Sequence, residues 1–357
     1  MGSSAWKPKR IRNTIIRHKS ENAIEDLERL YKIDKIPRGE GAFGKVYNAC
    51  SKTDADTLFA IKQMNISNLS PKKVEMISEE VKILNSLDHP NIVKYYEIYE
   101  DNENLYIVME NWPGNTIYDE MVNGTKYDEK LTCKIAQQLL RAINHCHVDK
   151  VTHRDIKPEN VIINSKGNSK LIDFGLSKNA TAQQILKSMA GTPFYMAPEI
   201  LCEKTYNEKV DIWSLGVLFY TMLCGYRPFD GNTAEEVFKS AQEGKFKLSG
   251  KQWGKVSRDS KNLICKMLEL NPKKRISAKK AIEHPWFGLI TDIKIRSAVL
   301  EEEKIEGDVL ERLCAYKSVH QLRKALLNVL VKMLKSKETK EITDLFNKLD
   351  KDKTGYI

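Results

Sequence analysis

The residues with the most chemistry in the sequence are His153-Arg154-Asp155-Ile156-Lys157-Pro158-Glu159-Asn160, followed thirteen residues on by Asp173-Phe174-Gly175. A carboxylate held in a loop can orient a hydroxyl or take its proton, which is the role expected of Asp155. Lys157 offers a cation where a phosphate in transit would carry charge. Asn160 brings an amide oxygen and Asp173 a carboxylate, the hard oxygen donors that suit Mg2+. That ion keeps few protein ligands and leans on phosphate oxygens, so one Asp and one Asn suffice. The chemistry this set suits is phosphoryl transfer, in which positioning and charge neutralisation dominate.

Gly39-Glu40-Gly41-Ala42-Phe43-Gly44-Lys45-Val46 is a loop whose glycines let backbone N–H groups approach phosphates with no Cβ in the way. Alone, G-x-G-x-x-G also fits a dinucleotide fingerprint. Here it leads to Ala60-Ile61-Lys62 on an expected strand rather than into a helix, which excludes that reading. Lys62, between apolar neighbours, needs an acidic partner. Glu80 is the candidate, since helical spacing places it with Ile77, Ile83 and Leu84 and leaves Glu79 outside that stripe.

These groups need elements to position them. Short β segments around glycines are expected from Tyr31 to Ile66, and a helix from Pro71 to Leu87 with Val74, Ile77, Val81 and Leu84 on one face. Asn104–Glu110 reads as a buried strand, and the chain from Gly114 to Phe287 as mostly helical. Residues 1–20 are basic and read as poorly packed, whereas 21–31 carry Ile24, Leu27, Leu30 and Tyr31 at helical spacing and read as a helix leaning on the following domain. Glu199 of Ala197-Pro198-Glu199 and Arg275 read as a buried structural pair, because planar bidentate geometry favours arginine. Asp211, in Asp211-Ile212-Trp213-Ser214-Leu215-Gly216, is expected to hold the backbone of the loop around Asp155.

Taken together, in this order and spacing, the motifs resemble the eukaryotic protein kinase family over about Tyr31 to Phe287, and Lys157 with Gly191-Thr192 resembles its serine/threonine branch. The resemblance implies an α+β, bilobal fold, with a β-rich N-lobe (31–113), a helical C-lobe (114–287), and ATP and Mg2+ between them. Protein Ser and Thr hydroxyls would be the substrates. It implies nucleotide contacts from Gly39, Gly41, Phe43, Gly44, Lys62 and Glu159, with Asn160 and Asp173 as Mg2+ ligands. The adenine would lie between Val46 and Ala60 above and Ile162 below, the backbone of Glu110 and Trp112 would form the hinge contacts, and Met109 would be the gatekeeper. Two positions depart from the family pattern. Thr116 in Gly114-Asn115-Thr116 replaces an acid that contacts ribose and basic substrates, leaving Glu159 for that contact, and Trp112-Pro113 stiffens the hinge. Ser188, four residues before Thr192, stands where related kinases carry a phosphorylated residue or an acid that Arg154 would pair with.

Beyond the kinase-like region, Leu310, Leu313, Val319, Leu322, Leu326, Val329, Leu330, Met333 and Leu334 are interspersed with Arg323, Lys324, Lys332 and Lys335. A basic amphipathic helix of this kind suits a calmodulin-type target, a membrane surface or an ordinary packed helix. Asp350-Lys351-Asp352-Lys353-Thr354-Gly355-Tyr356-Ile357 matches the first eight positions of an EF-hand loop. Asp350, Asp352 and Thr354 would be Ca2+ ligands, Gly355 the sharp turn, and Tyr356 a carbonyl donor. The sequence stops before the bidentate glutamate due at position twelve. Kinase, basic junction and EF-hand in this order resemble the calcium-dependent protein kinase family of plants and protists. The resemblance implies an intramolecular junction helix (288–336) that inhibits the kinase until a Ca2+-loaded lobe binds it. Residues 337–357 would then be the start of the first EF-hand of a C-terminally truncated chain. A kinase switched by separate calmodulin is the alternative, and a pseudokinase would need a lost Lys62, Asp155 or Asp173, none of which is lost.

The 357 residues, 41% hydrophobic and 30% charged, are long enough for two lobes and an appendage. No stretch reaches the roughly 18 apolar residues of a membrane span. The net charge of +10 comes with no zinc-finger spacing, RNA-recognition signature or basic zipper, so a nucleic-acid partner is not expected. Seven widely spaced cysteines without a C-x-x-C suggest reduced thiols and a cytoplasmic location. Peripheral membrane association stays open, because Met1-Gly2-Ser3-Ser4-Ala5-Trp6 departs from the myristoylation pattern at Trp6.

Overall fold

A computed structural model describes residues 16–41, 44–54, 56–174, 193–201 and 206–290. Phe43, Ser188, Gly191-Thr192, the junction helix and the calcium-loop residues Asp350, Asp352, Thr354 and Tyr356 lie outside these described residues.

Strand β7 (Asn104–Glu110) shows why the small lobe folds as it does. Successive side chains of a strand point to opposite faces. Leu105, Ile107 and Met109 enter the main core, and Tyr106 and Val108 enter a second cluster with Ala23, Leu27, Tyr31 and Ile61. A strand buried on both faces reads as a near-continuous apolar run, as this one does. The sheet has the order β1-β6-β7-β5-β4-β2, with β3 also pairing β4. Its strands are β1 (Ile16–Lys19), β2 (Tyr31–Ile33), β3 (Gly39–Gly41), β4 (Gly44–Ser51), β5 (Leu58–Asn65), β6 (Tyr95–Glu100) and β7. Helix α2 (Pro71–Ser86) buries Val74, Ile77, Val81 and Leu84 beneath one face, as its spacing indicates.

The N-terminal segment is better packed than its composition suggests. β1 forms the edge of the sheet by pairing parallel with β6, and α1 (Ala23–Leu30), capped by Asn22, buries Ala23 and Leu27 on the outer face of the sheet. Arg17 donates to Glu100 on β6 and pairs with Glu75 on α2, so the basic residues of this stretch include a tether. The small lobe thus begins before Tyr31.

In the large lobe, α4 (Glu129–Val148) packs on α6 (Lys209–Cys224), and α6 is buried around its whole circumference. That environment explains why Leu215–Leu223 is so apolar without crossing a membrane, and no described helix is long and apolar enough to do so. Between these helices and the sheet lie α3 (Ile117–Val122) and a small antiparallel sheet of β8 (Asn115–Thr116), β9 (Val161–Ile163) and β10 (Ser169–Leu171). Among the described residues the remaining α-helices are α5 (Pro198–Leu201), α7 (Ala234–Glu243), α8 (Arg258–Met267) and α9 (Ala278–Ile282).

Candidate active site

Strand register assembles the roof of the site. Gly39 lies opposite Val46, Val46 opposite Lys62, and Lys62 opposite Ile107, while Ala60 faces Met109 on β7. Gly44 has φ of 120°, and a Cβ there would lie 1.9 Å from the carbonyl of Gln63, so only glycine lets the loop turn so close to β5. After Glu110 the chain leaves the sheet through Asn111-Trp112-Pro113-Gly114. Gly114 (φ 126°) passes so near β9 that a Cβ would meet Ile163 O at 2.1 Å.

Thr116 has a local task. Its Oγ1 accepts from Asp119 N at 3.0 Å and donates to Asp119 Oδ2 at 2.7 Å, while Asp119 also accepts the Thr116 amide, forming a capping box for α3. The position where an acid was expected therefore starts a helix.

The floor is the loop around Asp155. Asp211, buried on α6, accepts the amides of His153 and Arg154 at 2.9 Å each and lies 2.9 Å from His147 Nε2, as its expected structural role requires. Two fixed amides set the loop backbone and hold Arg154 at φ of 64°. The His153 ring lies 4.3 Å from that of Phe174. Asp155 Oδ2 receives Asn160 Nδ2 at 3.0 Å and stands 3.2 Å from Lys157 Nζ. Asn160 Nδ2 also donates to Asp155 O at 2.7 Å, so the amide oxygen is what Asn160 has left to offer a cation. Glu159 Oε2 is buried with no hydrogen-bond partner among the described residues, consistent with a carboxylate that awaits a donor. Ile162 lies on β9 opposite Lys170.

Roof and floor meet at Lys62, which is 5% exposed. Its Nζ lies 2.7 Å from Asp173 Oδ1. Among the described residues no ion pair joins Lys62 to Glu80, the partner expected from sequence. Asp173, at φ of 50°, reaches the ammonium from the other lobe and brings a carboxylate to the buried charge. Glu80 is half-buried. Burial pushes its carboxyl above the ordinary range, and Arg154 supplies the charge opposing that shift. Glu79, read as the solvated neighbour, is exposed and pairs with Lys82 at 2.6 Å. Ile83 does not share the buried stripe and is 51% exposed.

Asp173 and the Asn160 amide oxygen are hard oxygen donors, and the glycine-lined approach on β3 and β4 would fit a phosphate chain, so the residues fit Mg2+ and a nucleotide. Sequence reasoning missed Arg38 and Lys170. Arg38 donates to Trp112 O at 3.4 Å and Gly114 O at 2.5 Å, and Lys170 pairs with Glu110 at 2.8 Å. Arg38 stands beside Gly39 and Lys170 three residues before Asp173, and that adjacency was the available signal.

Comparison with known proteins agrees with this geometry. The protein kinase domain model matches residues 32–287. Calcium-dependent protein kinase 5 of Plasmodium berghei is 35% identical over 93% of this chain and 58% of its own length. Calcium-dependent protein kinase 29 of Arabidopsis thaliana is 36% identical over 93% of this chain and 61% of its own. The chain thus spans about three-fifths of the length of these relatives. The solved structure of Rad53 in complex with AMP-PNP superposes with a TM-score of 0.64 at 31% identity, covering 73% of this chain and 66% of that one. A domain match over most of the sequence, on a two-lobed fold whose lobes meet at Lys62 and Asp173, shows that the chain belongs to the protein kinase family.

Proposed function

We propose that the chain transfers the γ-phosphate of ATP to serine and threonine hydroxyls of protein substrates. The observation that carries this reading is the fixed triad of Asp155, Lys157 and Asn160 facing the Lys62–Asp173 pair across the two lobes. Asp155, held on Oδ2, orients the incoming hydroxyl and accepts its proton. Lys157 sits beside that carboxylate and neutralises the phosphate as it moves. Lys62 can exchange Asp173 for the anionic phosphates, and Glu80 is then the carboxylate available to hold the lysine. Mg2+, held by Asp173 and the Asn160 oxygen, would supply charge neutralisation across the phosphate oxygens. The test is transfer from radiolabelled ATP to a serine peptide by Asp155→Asn and Asp173→Asn. Each should lose about 10²-fold or more while remaining folded, given what a positioned acid–base group contributes, with Asp173→Asn also lowering the unfolding midpoint because Lys62 loses its carboxylate. Near-normal turnover by either would overturn the assignment.

We further propose calcium regulation. The support is the D-x-D-x-T-G sequence from Asp350, the basic amphipathic stretch before it, and relatives named as calcium-dependent kinases. In this reading residues 288–336 restrain the kinase. Truncation after Ile290, which keeps Trp286, Phe287 and Ile290 on the core, should raise peptide phosphorylation. Equal rates would refute the restraint. A cytoplasmic location belongs to the same proposal, supported by free thiols at Cys50, Cys133, Cys146, Cys224 and Cys265.

A further inference from the structure

Lys170 is only 6% exposed, in the middle of β10, where a lone ammonium would be costly. Its charge is met on three sides. Nζ lies 2.8 Å from Glu110 Oε2, donates to Ile92 O at 3.3 Å, and stands 4.6 Å from the centre of the Trp112 ring. Glu110 Oε2 also accepts the Lys94 amide at 3.2 Å, and the Glu110 amide donates to Lys94 O at 2.8 Å. One cation therefore grips both residues whose backbone flanks Asn111 in the hinge. The strand that carries it ends at Leu171, two residues before Asp173. On the opposite side, Arg38 holds the carbonyls of Trp112 and Gly114.

We propose that Lys170 is a positioning residue for the nucleotide: by holding Glu110 and Trp112 against β10, it sets the hinge backbone at a fixed distance from the strand that leads to Asp173. The inference rests on the ATP-site reading above. Hydrogen bonds from a backbone to an adenine edge depend steeply on placement, and an ångström of drift costs up to about 10²-fold. Without Lys170, Glu110 turns towards water to solvate its charge and Trp112 loses its cation. The triad around Asp155 is untouched. The cost should therefore fall on nucleotide affinity rather than on turnover.

The experiment uses the full chain, with calorimetric titration of adenosine, which tests the adenine contact without phosphates, and steady-state kinetics with ATP. Lys170→Met should weaken adenosine and raise the KM for ATP about tenfold, with kcat within about threefold of wild type. Lys170→Arg retains the charge and the ring contact and should recover most of the affinity. Lys170→Met with Glu110→Gln removes the lone carboxylate and should regain thermal stability without regaining adenosine affinity. These two variants also carry the comparison if Lys170→Met alone fails to fold. Unchanged adenosine affinity in Lys170→Met would overturn the proposal, as would affinity that returns with stability in the double variant. Ala60→Leu separates the two readings, since it puts bulk where the adenine would stack. If Ala60→Leu binds adenosine normally, the nucleotide reading itself fails. If it does not bind while Lys170→Met does, only the role of Lys170 fails.

Discussion

Replacing Arg275 by methionine would strand one buried charge. Arg275 is 1% exposed and Glu199 8%. The guanidinium donates to Glu199 Oε1 at 2.6 Å and Oε2 at 3.1 Å, and also to the carbonyls of Lys209 and Glu269 at 2.9 Å each. It lies 5.0 Å from the Trp213 ring. In Arg275→Met the carboxylate stays buried without its cation, which costs about 3–5 kcal/mol. The two carbonyls lose a donor, at about 1 kcal/mol each. The sum, about 5–7 kcal/mol, rivals the whole stability of a typical domain, roughly 5–15 kcal/mol. Arg275→Met with Glu199→Gln removes the charge but not the orphaned carbonyls, so it should lie about 2 kcal/mol below wild type. Urea unfolding followed by tryptophan fluorescence measures both, with Trp213 a reporter beside the lesion. A single variant within about 1 kcal/mol of wild type would refute the reasoning. So would a double variant no more stable than the single, because the cost would then not come from the stranded carboxylate.

Three further outcomes follow from the same geometry. His89 is pushed down to about 4 from its ordinary 6.5, first by burial and then by His145, Lys170 and Arg141. The folded state keeps the neutral ring, so this contribution is full above pH 6.5 and is lost as pH falls from 6.5 to 4. Subtracting the unfolding profile of His89→Asn from that of wild type should isolate this slope, and parallel profiles would contradict it. Glu80 has the opposite sign among carboxylates: its folded pKa is raised, so stability present at low pH is lost as pH rises through that value. Glu80→Gln should therefore be more stable than wild type at pH 8 and equal to it at acid pH, while losing phosphotransfer; equal stability at pH 8 would argue against a buried charge. Gly114→Ala forces a Cβ into Ile163 O at positive φ and should lose about 1–3 kcal/mol in thermal unfolding, whereas an unchanged midpoint would mean the hinge yields freely.

Much of the fold was legible because its signals are local. The two-sided apolar run of β7, the stripe of Val74, Ile77, Val81 and Leu84, and the glycine loop leading to a strand each name their own element. The Glu199–Arg275 pair and the anchoring by Asp211 were also readable, since those residue types have few other uses when buried. Residues 16–19 were not legible as part of the small lobe, whereas the helix expected over 21–31, leaning on the following domain, was. The hydrogen bonds of β1 come from β6, about 80 residues away, and basic composition hides an edge strand that pairs through its backbone.

The sequence by itself determined which residues are candidates for the chemistry: Lys62, Asp155, Lys157, Asn160 and Asp173 come in an order and spacing that suit phosphoryl transfer. Only the tertiary structure decided how their charges are shared. Lys62 meets Asp173 rather than Glu80, and Glu80 responds to Arg154. Two residues that look like any of the 58 lysines and arginines, Arg38 and Lys170, fasten the hinge from opposite sides. The reason is physical: a residue's type fixes its charge and donors, but which opposite charge lies within about 3 Å in a low-dielectric site depends on how distant segments pack.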